Sequence, residues 1–258
     1  MESNILYQIK TPYNDIRVIE ELPFRKLLFG HGMCQEQTGI NLECPHQHVF
    51  DFSLLAMHSL LYFGQIPPSR ILVIGLGGGF IPMQMSHYLC DTKIDIIEID
   101  PEVVNIAKEY FFFKENDRIK VHVGDAFSVL DGFKDRYDII IVDAFTTNYI
   151  PYHLMSKEFY NKVFGLLKVN GVMTINTCNV HPSYLSQIKT IYDVFGDNIG
   201  CLNGASNEIS TMLFVTKSNI ELMKIEHIKC HFFVMNPTKL IITDEIKNSK
   251  IFSLNSMF

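Results

Sequence analysis

Asp143 closes the apolar run Tyr137-Asp138-Ile139-Ile140-Ile141-Val142. A carboxylate at such a strand end is placed to hold a cation or to take a proton. Three comparable landmarks precede it. Gly75-Leu76-Gly77-Gly78-Gly79 follows Ile71-Leu72-Val73-Ile74, Glu98 follows Ile94-Asp95-Ile96-Ile97, and Gly124-Asp125 follows Val121-His122-Val123. In an open α/β sheet, ligands bind outside the carboxyl ends of the strands, so four landmarks at four strand ends define one pocket.

The glycine run reads G-x-G-x-G. Phe80 stands where a dinucleotide fingerprint needs a small residue, and no Gly-Lys-Ser/Thr is present. That pattern suits a nucleoside lying close to the backbone better than a dinucleotide or a nucleotide triphosphate. Glu98 can accept both ribose hydroxyls. Asp125 can accept from an adenine amino group; its alternative is a turn carboxylate. Asp100 precedes Pro101, the order of an N-cap and its N1 proline, and is assigned to capping. His153 is a candidate general base near Asp143, with a structural helix-entry residue as the alternative. Tyr149 and Tyr152 either line the mouth of the pocket or cover it. His46 and His48 with Cys44 lack a second ligand pair, so a polar loop is read there and no metal is expected.

Elements that position these groups follow from periodicity. Ile5–Ile9, Ile16–Ile19 and Arg25–Phe29, with Met33-Cys34-Gln35 after Gly30-His31-Gly32, read as a small antiparallel sheet. Such a sheet is too small to stand alone and must pack on the main domain or on a partner chain. Phe50–Phe63 reads as a helix ended by Pro67-Pro68. From Arg70 the chain alternates. Strands are expected at Ile71–Ile74, Lys93–Ile99, Ile119–Val123, Tyr137–Val142 and Val172–Thr177, then near Cys201 and at Thr211–Thr216. Helices are expected at Pro82–Tyr88, after Asp100-Pro101, near Ser128, at Ser156–Leu167 and around Tyr184–Phe195. Continuous Val/Ile runs between helical patterns indicate a mostly parallel sheet covered on both faces. The tail from Lys217 is weakly patterned.

With 258 residues, 47% hydrophobic, the chain can bury one sizeable core and a small appendage. A net charge of −6 and the lack of a Lys/Arg-rich run exclude a general nucleic-acid binder. No apolar run reaches membrane-spanning length. Met1-Glu2-Ser3-Asn4 has neither the basic start nor the apolar stretch of a signal peptide, so a cytoplasmic protein is expected. The six cysteines are scattered without a C-x-x-C pair and are read as reduced thiols.

Together these features resemble class I S-adenosylmethionine-binding enzymes and, more narrowly, the spermidine synthase (polyamine aminopropyltransferase) family. The resemblance runs from about Tyr7 to Thr216. It is carried by Ile16-Arg17-Val18-Ile19-Glu20, Gln35, Ile71 to Gly79, and Ile97-Glu98-Ile99-Asp100. Further on it is carried by Arg118 to Ala126, Asp138 to Asp143 and Glu158-Phe159-Tyr160. It implies a Rossmann-like class I methyltransferase fold (α/β, mostly parallel, seven strands) over residues 49–258. It also implies a small N-terminal antiparallel β-domain over residues 1–48, and homodimers that meet through it. The implied co-substrate is decarboxylated S-adenosylmethionine or S-adenosylmethionine, and the implied partner is a small amine acceptor. By carry-over, Gln35, Gly75, Gly77, Gly78, Gly79, Glu98, Ile99, Asp125, Ala126 and Asp143 would form the nucleoside site. Asp143 would also serve the reacting amine.

The chain departs from that family's pattern at three places. The family's G-G-G-D-G-G acid, which pairs with the aminopropyl ammonium, aligns with Gly78. Its D-S-S-D-P loop is here Asp143-Ala144-Phe145-Thr146-Thr147, with Thr146 in place of the second acid. Its Y-H-E is here Phe52-Ser53-Leu54, with Asp51 one residue out of register. Losing a charge-assisted hydrogen bond to an ammonium costs roughly 1.5–3 kcal/mol. Ile150-Pro151-Tyr152-His153-Leu154 looks like a bacterial spermidine synthase-like subgroup with G-L-G-G-G and I-P-x-H-L. Three readings follow: aminopropyl-type transfer to an amine, methyl transfer to an uncharged or aromatic acceptor, or nucleoside or partner binding without turnover.

Overall fold

The structure, a computed structural model, describes residues 3–31, 35–63, 66–147, 149–196, 199–203, 210–217 and 252–253. The first four strands, β1 (Asn4–Lys10), β2 (Asp15–Glu21), β3 (Phe24–Phe29) and β4 (Glu36–Asn41), form an antiparallel sheet in that order. Alternation places Ile16, Val18, Leu27, Phe29 and Ile40 on its inner face. They pack on Val103, Ile106 and Phe111 of the main body. The small sheet thus finds its missing core within the same chain, as its size requires.

The turn between β1 and β2 fixes the relation of the two sheets. Asn14, 4% exposed, donates from Nδ2 to Asp100 Oδ2 at 3.1 Å and accepts the Thr147 N–H at 3.1 Å. The Asp15 N–H donates to Thr147 Oγ1 at 2.8 Å. Asp100 in turn caps the next helix by accepting the Glu102 N–H at 3.0 Å, as the Asp-Pro pair predicts. Asn14→Ala strips the partner from the half-buried Thr147 N–H and one of several from the buried Asp100 carboxylate. It should lower urea stability by about 1–3 kcal/mol; an unchanged midpoint would show the turn to be unimportant.

The main sheet contains β5 (Arg70–Ile74), β6 (Lys93–Glu98), β7 (Ile119–Val123), β8 (Tyr137–Val142), β9 (Leu167–Cys178), β10 (Ile199–Asn203) and β11 (Ser210–Thr216). A two-residue strand, β12 (Phe252–Ser253), adds to its edge, and the order is β12-β10-β11-β9-β8-β5-β6-β7. β9, β8, β5, β6 and β7 are parallel; β11 joins β9 antiparallel. The helices are α1 (Asp51–Met57), α2 (Phe80–Tyr88), α3 (Pro101–Tyr110), α4 (Ala126–Val129), α5 (Lys157–Leu166) and α6 (Tyr184–Phe195). The continuous apolar runs divide by alternation between two cores. Leu72, Ile74, Ile140 and Val142 meet Phe159, Val163 and Ile188 on one face. Ile71, Val73, Ile139 and Ile141 meet Leu55, Ile81, Met85 and Val104 on the other. Strand order reverses at β5, between β6 and β8, which opens a crevice above its carboxyl end.

Some elements differ from expectation. The helix expected over Phe50–Phe63 is α1 followed by a 3₁₀ turn, His58–Phe63. There His58 Nδ1 bonds the Leu54 carbonyl at 3.0 Å, and Ser59 Oγ donates to the Ala56 carbonyl at 2.7 Å. Both compete for acceptors of the helical ladder. β9 starts five residues before the expected Val172. The fourth N-terminal strand, β4, lies beyond Met33-Cys34-Gln35; residues 32–34 and most of the tail after Lys217 lie outside the described residues. Cys44 and Cys90 are free thiols, but Cys178 is disulfide-bonded, which corrects the all-reduced reading. Among the described residues, no helix is long and apolar enough to cross a membrane.

Candidate active site

Backbone hydrogen bonds draw the four strand-end landmarks into a row. The Gly75 N–H donates to the Ile97 carbonyl, that of Asp143 to Ile74, and that of Gly124 to Glu98, each at 2.8 Å. The glycine loop and the Asp143 loop touch at Gly75. Its φ is +98°, and a Cβ there would stand 2.1 Å from the Asp143 carbonyl oxygen. Only glycine permits that approach.

Two adjoining cavities open over this row. Gly75, Glu98 and Phe145 line both and mark their junction. The first cavity runs toward β4 and α1 and includes Gly77, Asp143, Thr38 and Phe52. The second runs toward β7 and α4 and includes Ile99, Gly124, Asp125, Ala126 and Thr146.

Glu98 sits at the junction, 7% exposed. Its Oε2 accepts the Leu76 N–H and its Oε1 the Asp100 N–H, both at 2.9 Å. Burial pushes its carboxyl up to about 7, against the downward pull of those donors. Asp143 accepts the Asn176 Nδ2 at 2.8 Å, and burial pushes it up to about 6. Asn176 is 5% exposed, and its own Oδ1 has no hydrogen-bond partner. Two carboxylates with raised affinity for protons, at the mouth of a β-strand crevice, are arranged to receive hydroxyls, an ammonium or a proton.

Other candidates lie elsewhere. Gln35 presents its side-chain oxygen to Arg17 Nη2 at 3.1 Å and does not line either cavity; Gln37 and Thr38 line the first one. The general base expected at His153 is not beside Asp143 but on Asp125, with Nε2 and Oδ2 2.6 Å apart and the imidazole half exposed. The cause is the 3₁₀ turn Tyr152–Met155, which buries Leu154 and Met155 and turns the histidine toward α4. Asp125 also caps α4 through the Ser128 N–H at 3.2 Å while lining the second cavity. Tyr149 is buried, bonds Gln187 at 2.7 Å and stacks on His181, while Tyr152 is 82% exposed; neither lines either of these two cavities.

Gly78 has a reason beyond a missing charge. Its N–H donates to Thr38 Oγ1 at 2.8 Å. A Cβ there would stand 2.7 Å from Thr38 Cγ2 and 2.9 Å from the Phe111 ring. The N-terminal sheet therefore fills the space an acid at Gly78 would need. Thr38 and Gln37 escaped the sequence reading because β4 is polar at its start. Asn176 carried a faint signal, alternating as a polar residue with Thr174 among the apolar Val172, Met173 and Ile175.

Comparison with known proteins identifies the family of the chain. Residues 54–199 match the spermine/spermidine synthase domain. The polyamine aminopropyltransferase of Vibrio vulnificus (strain CMCP6) is 35% identical over 201 residues, covering 76% of this chain and 67% of the relative. A probable spermidine synthase from Corynebacterium glutamicum shares the fold with TM-score 0.72 and 16% identity over 98% of this chain and 92% of that one. A spermidine synthase in complex with the transition-state analogue AdoDATO shares it with TM-score 0.65 and 18% identity, over 83% and 74% of the two chains. The chain belongs to the spermine/spermidine synthase domain family.

Proposed function

We propose that the chain is an aminopropyltransferase-type enzyme that moves an alkyl group from a sulfonium nucleoside to an amine. The second cavity takes the base, beside Ile99, Asp125 and Ala126; Glu98 takes the ribose hydroxyls; the first cavity takes the sulfonium tail and the acceptor. The amine lone pair attacks the methylene carbon next to sulfur. The carbon–sulfur bond breaks with its electrons on sulfur, leaving a neutral thioether, and the N–H proton passes to Asp143. Holding the two reactants in line supplies most of the acceleration.

One observation carries this reading. The first cavity is lined by the carboxylates Glu98 and Asp143, and no Lys, Arg or His is among its described lining residues. An ammonium-bearing donor tail is matched there, whereas the carboxylate of intact S-adenosylmethionine meets like charge. Decarboxylated S-adenosylmethionine is accordingly the favoured donor. Methyl transfer from intact S-adenosylmethionine is the competing reading, supported by the crowding that excludes an acid at Gly78.

Side-by-side calorimetric titration with the two donors tests the choice. Tighter binding of the decarboxylated form is expected; tighter binding of the intact form would move the assignment to methyl transfer. Glu98→Gln should weaken either nucleoside by roughly tenfold to hundredfold, the cost of a charge-assisted hydrogen bond. Unchanged affinity would remove Glu98 from the site.

A further inference from the structure

Asn176 stands near the carboxyl end of β9 and is buried. Met173 and Ile175 of the same strand belong to one apolar core. Alternation sets Asn176 on the other face with Val172, in the core that Leu55 and Ala56 of α1 help to fill. The first cavity runs toward α1 on that face. A polar amide is costly there, because its Oδ1 is buried without a hydrogen-bond partner. What its side chain makes in return is the bond from Nδ2 to Asp143 Oδ1 at 2.8 Å. An ionised carboxylate only accepts, so the NH2 end of the amide is the end that faces it. Among the described residues, this leaves Asp143 Oδ2 as the oxygen for an amine.

We propose that Asn176 is a positioning residue for the transfer: its amide favours the ionised form of Asp143 and occupies one carboxylate oxygen, so that the other is presented to the acceptor amine. This rests on the transferase reading above and adds to it the group that readies the base. Burial raises the Asp143 carboxyl, and the Asn176 bond pulls the other way. Other elements around Asp143 supply no cation for that task. Glu98 is the other ionisable group in the described lining of the first cavity. On the α1 side, burial lowers the imidazoles of His48 and His58 and keeps them neutral. The glycine loop, Gly75 to Gly79, carries no ionisable group, and β11 sets Met212 opposite Asn176.

The test is the titration of Asp143 itself, followed by carboxyl NMR in the ligand-free protein, with its signal identified by loss in Asp143→Asn. Asn176→Leu, checked for folding by circular dichroism, should move that midpoint upward by about 1–2 pH units, the worth of a charge-assisted hydrogen bond. Asn176→Val repeats the test with a residue suited to a strand. The kcat/KM profile should move with the midpoint, so that the variants are roughly tenfold slower near pH 7 and recover near pH 9, with nucleoside affinity unchanged. Asn176→Gln, which keeps the amide, should restore part of both. A midpoint that stays in place in a folded variant would overturn the proposal and leave the transfer reading untouched. A loss of rate that persists near pH 9 would overturn it too, since a structural lesion does not recover with pH. The transfer reading fails separately: a shifted midpoint in a protein that alkylates no amine from either donor would support the Asn176 bond and remove the reaction.

Discussion

Asp143→Asn is expected to reduce turnover by several orders of magnitude while making the ligand-free protein more stable at neutral pH. The loss follows from removing the group that takes the amine proton. The gain follows from linkage. Burial raises the Asp143 carboxyl from its ordinary value to about 6. Below the unfolded value, about 3.9, both states are protonated and the folded chain carries no penalty. Above it the unfolded chain ionises first, so the folded state binds more protons and stability falls as pH rises through about 6. Asparagine imitates the protonated acid and escapes that loss, by on the order of 1–3 kcal/mol at pH 8 and by little near pH 4. Denaturant titrations at the two pH values measure the difference. The same protonation predicts that wild-type kcat/KM rises with pH through about 6. A flat profile, or an active Asn variant, would remove Asp143 from the reaction.

Gly75→Ala should cost roughly 2–5 kcal/mol, combining overpacking with a left-handed backbone. It should also depress kcat, because the added methyl stands 2.1 Å from the Asp143 carbonyl oxygen and must displace that loop. Gly165→Ala is the control. Gly165 lies in α5 with nothing within 4 Å of an added Cβ, so that change should stabilise by about 0.5–1 kcal/mol. Equal effects at both positions would contradict the close approach of the two loops.

How much of this was legible depends on sequence distance. The landmarks at Gly75, Glu98, Gly124 and Asp143 could be read because each ends a Val/Ile-rich strand, and the parallel sheet then places strand ends side by side. The Asp100 cap could be read because cap and proline are adjacent. The partnership of His153 with Asp125 could not, since it depends on a 3₁₀ turn that redirects one side chain. Gln35 matched a motif, yet its amide is held by Arg17 across the N-terminal sheet. The filling of the space at Gly78 comes from Thr38, 40 residues away, and from Phe111, so no local pattern announces it. The dividing line is physical. Periodicity reports which face is buried, whereas the lining of the cleft is set by contacts between the two sheets.

The most direct test of the central claim is product analysis after incubation with decarboxylated S-adenosylmethionine and an amine, run beside intact S-adenosylmethionine. The predicted result is methylthioadenosine with an equal amount of aminopropylated amine from the decarboxylated donor. S-adenosylhomocysteine with a methylated acceptor, formed from the intact donor alone, would contradict it.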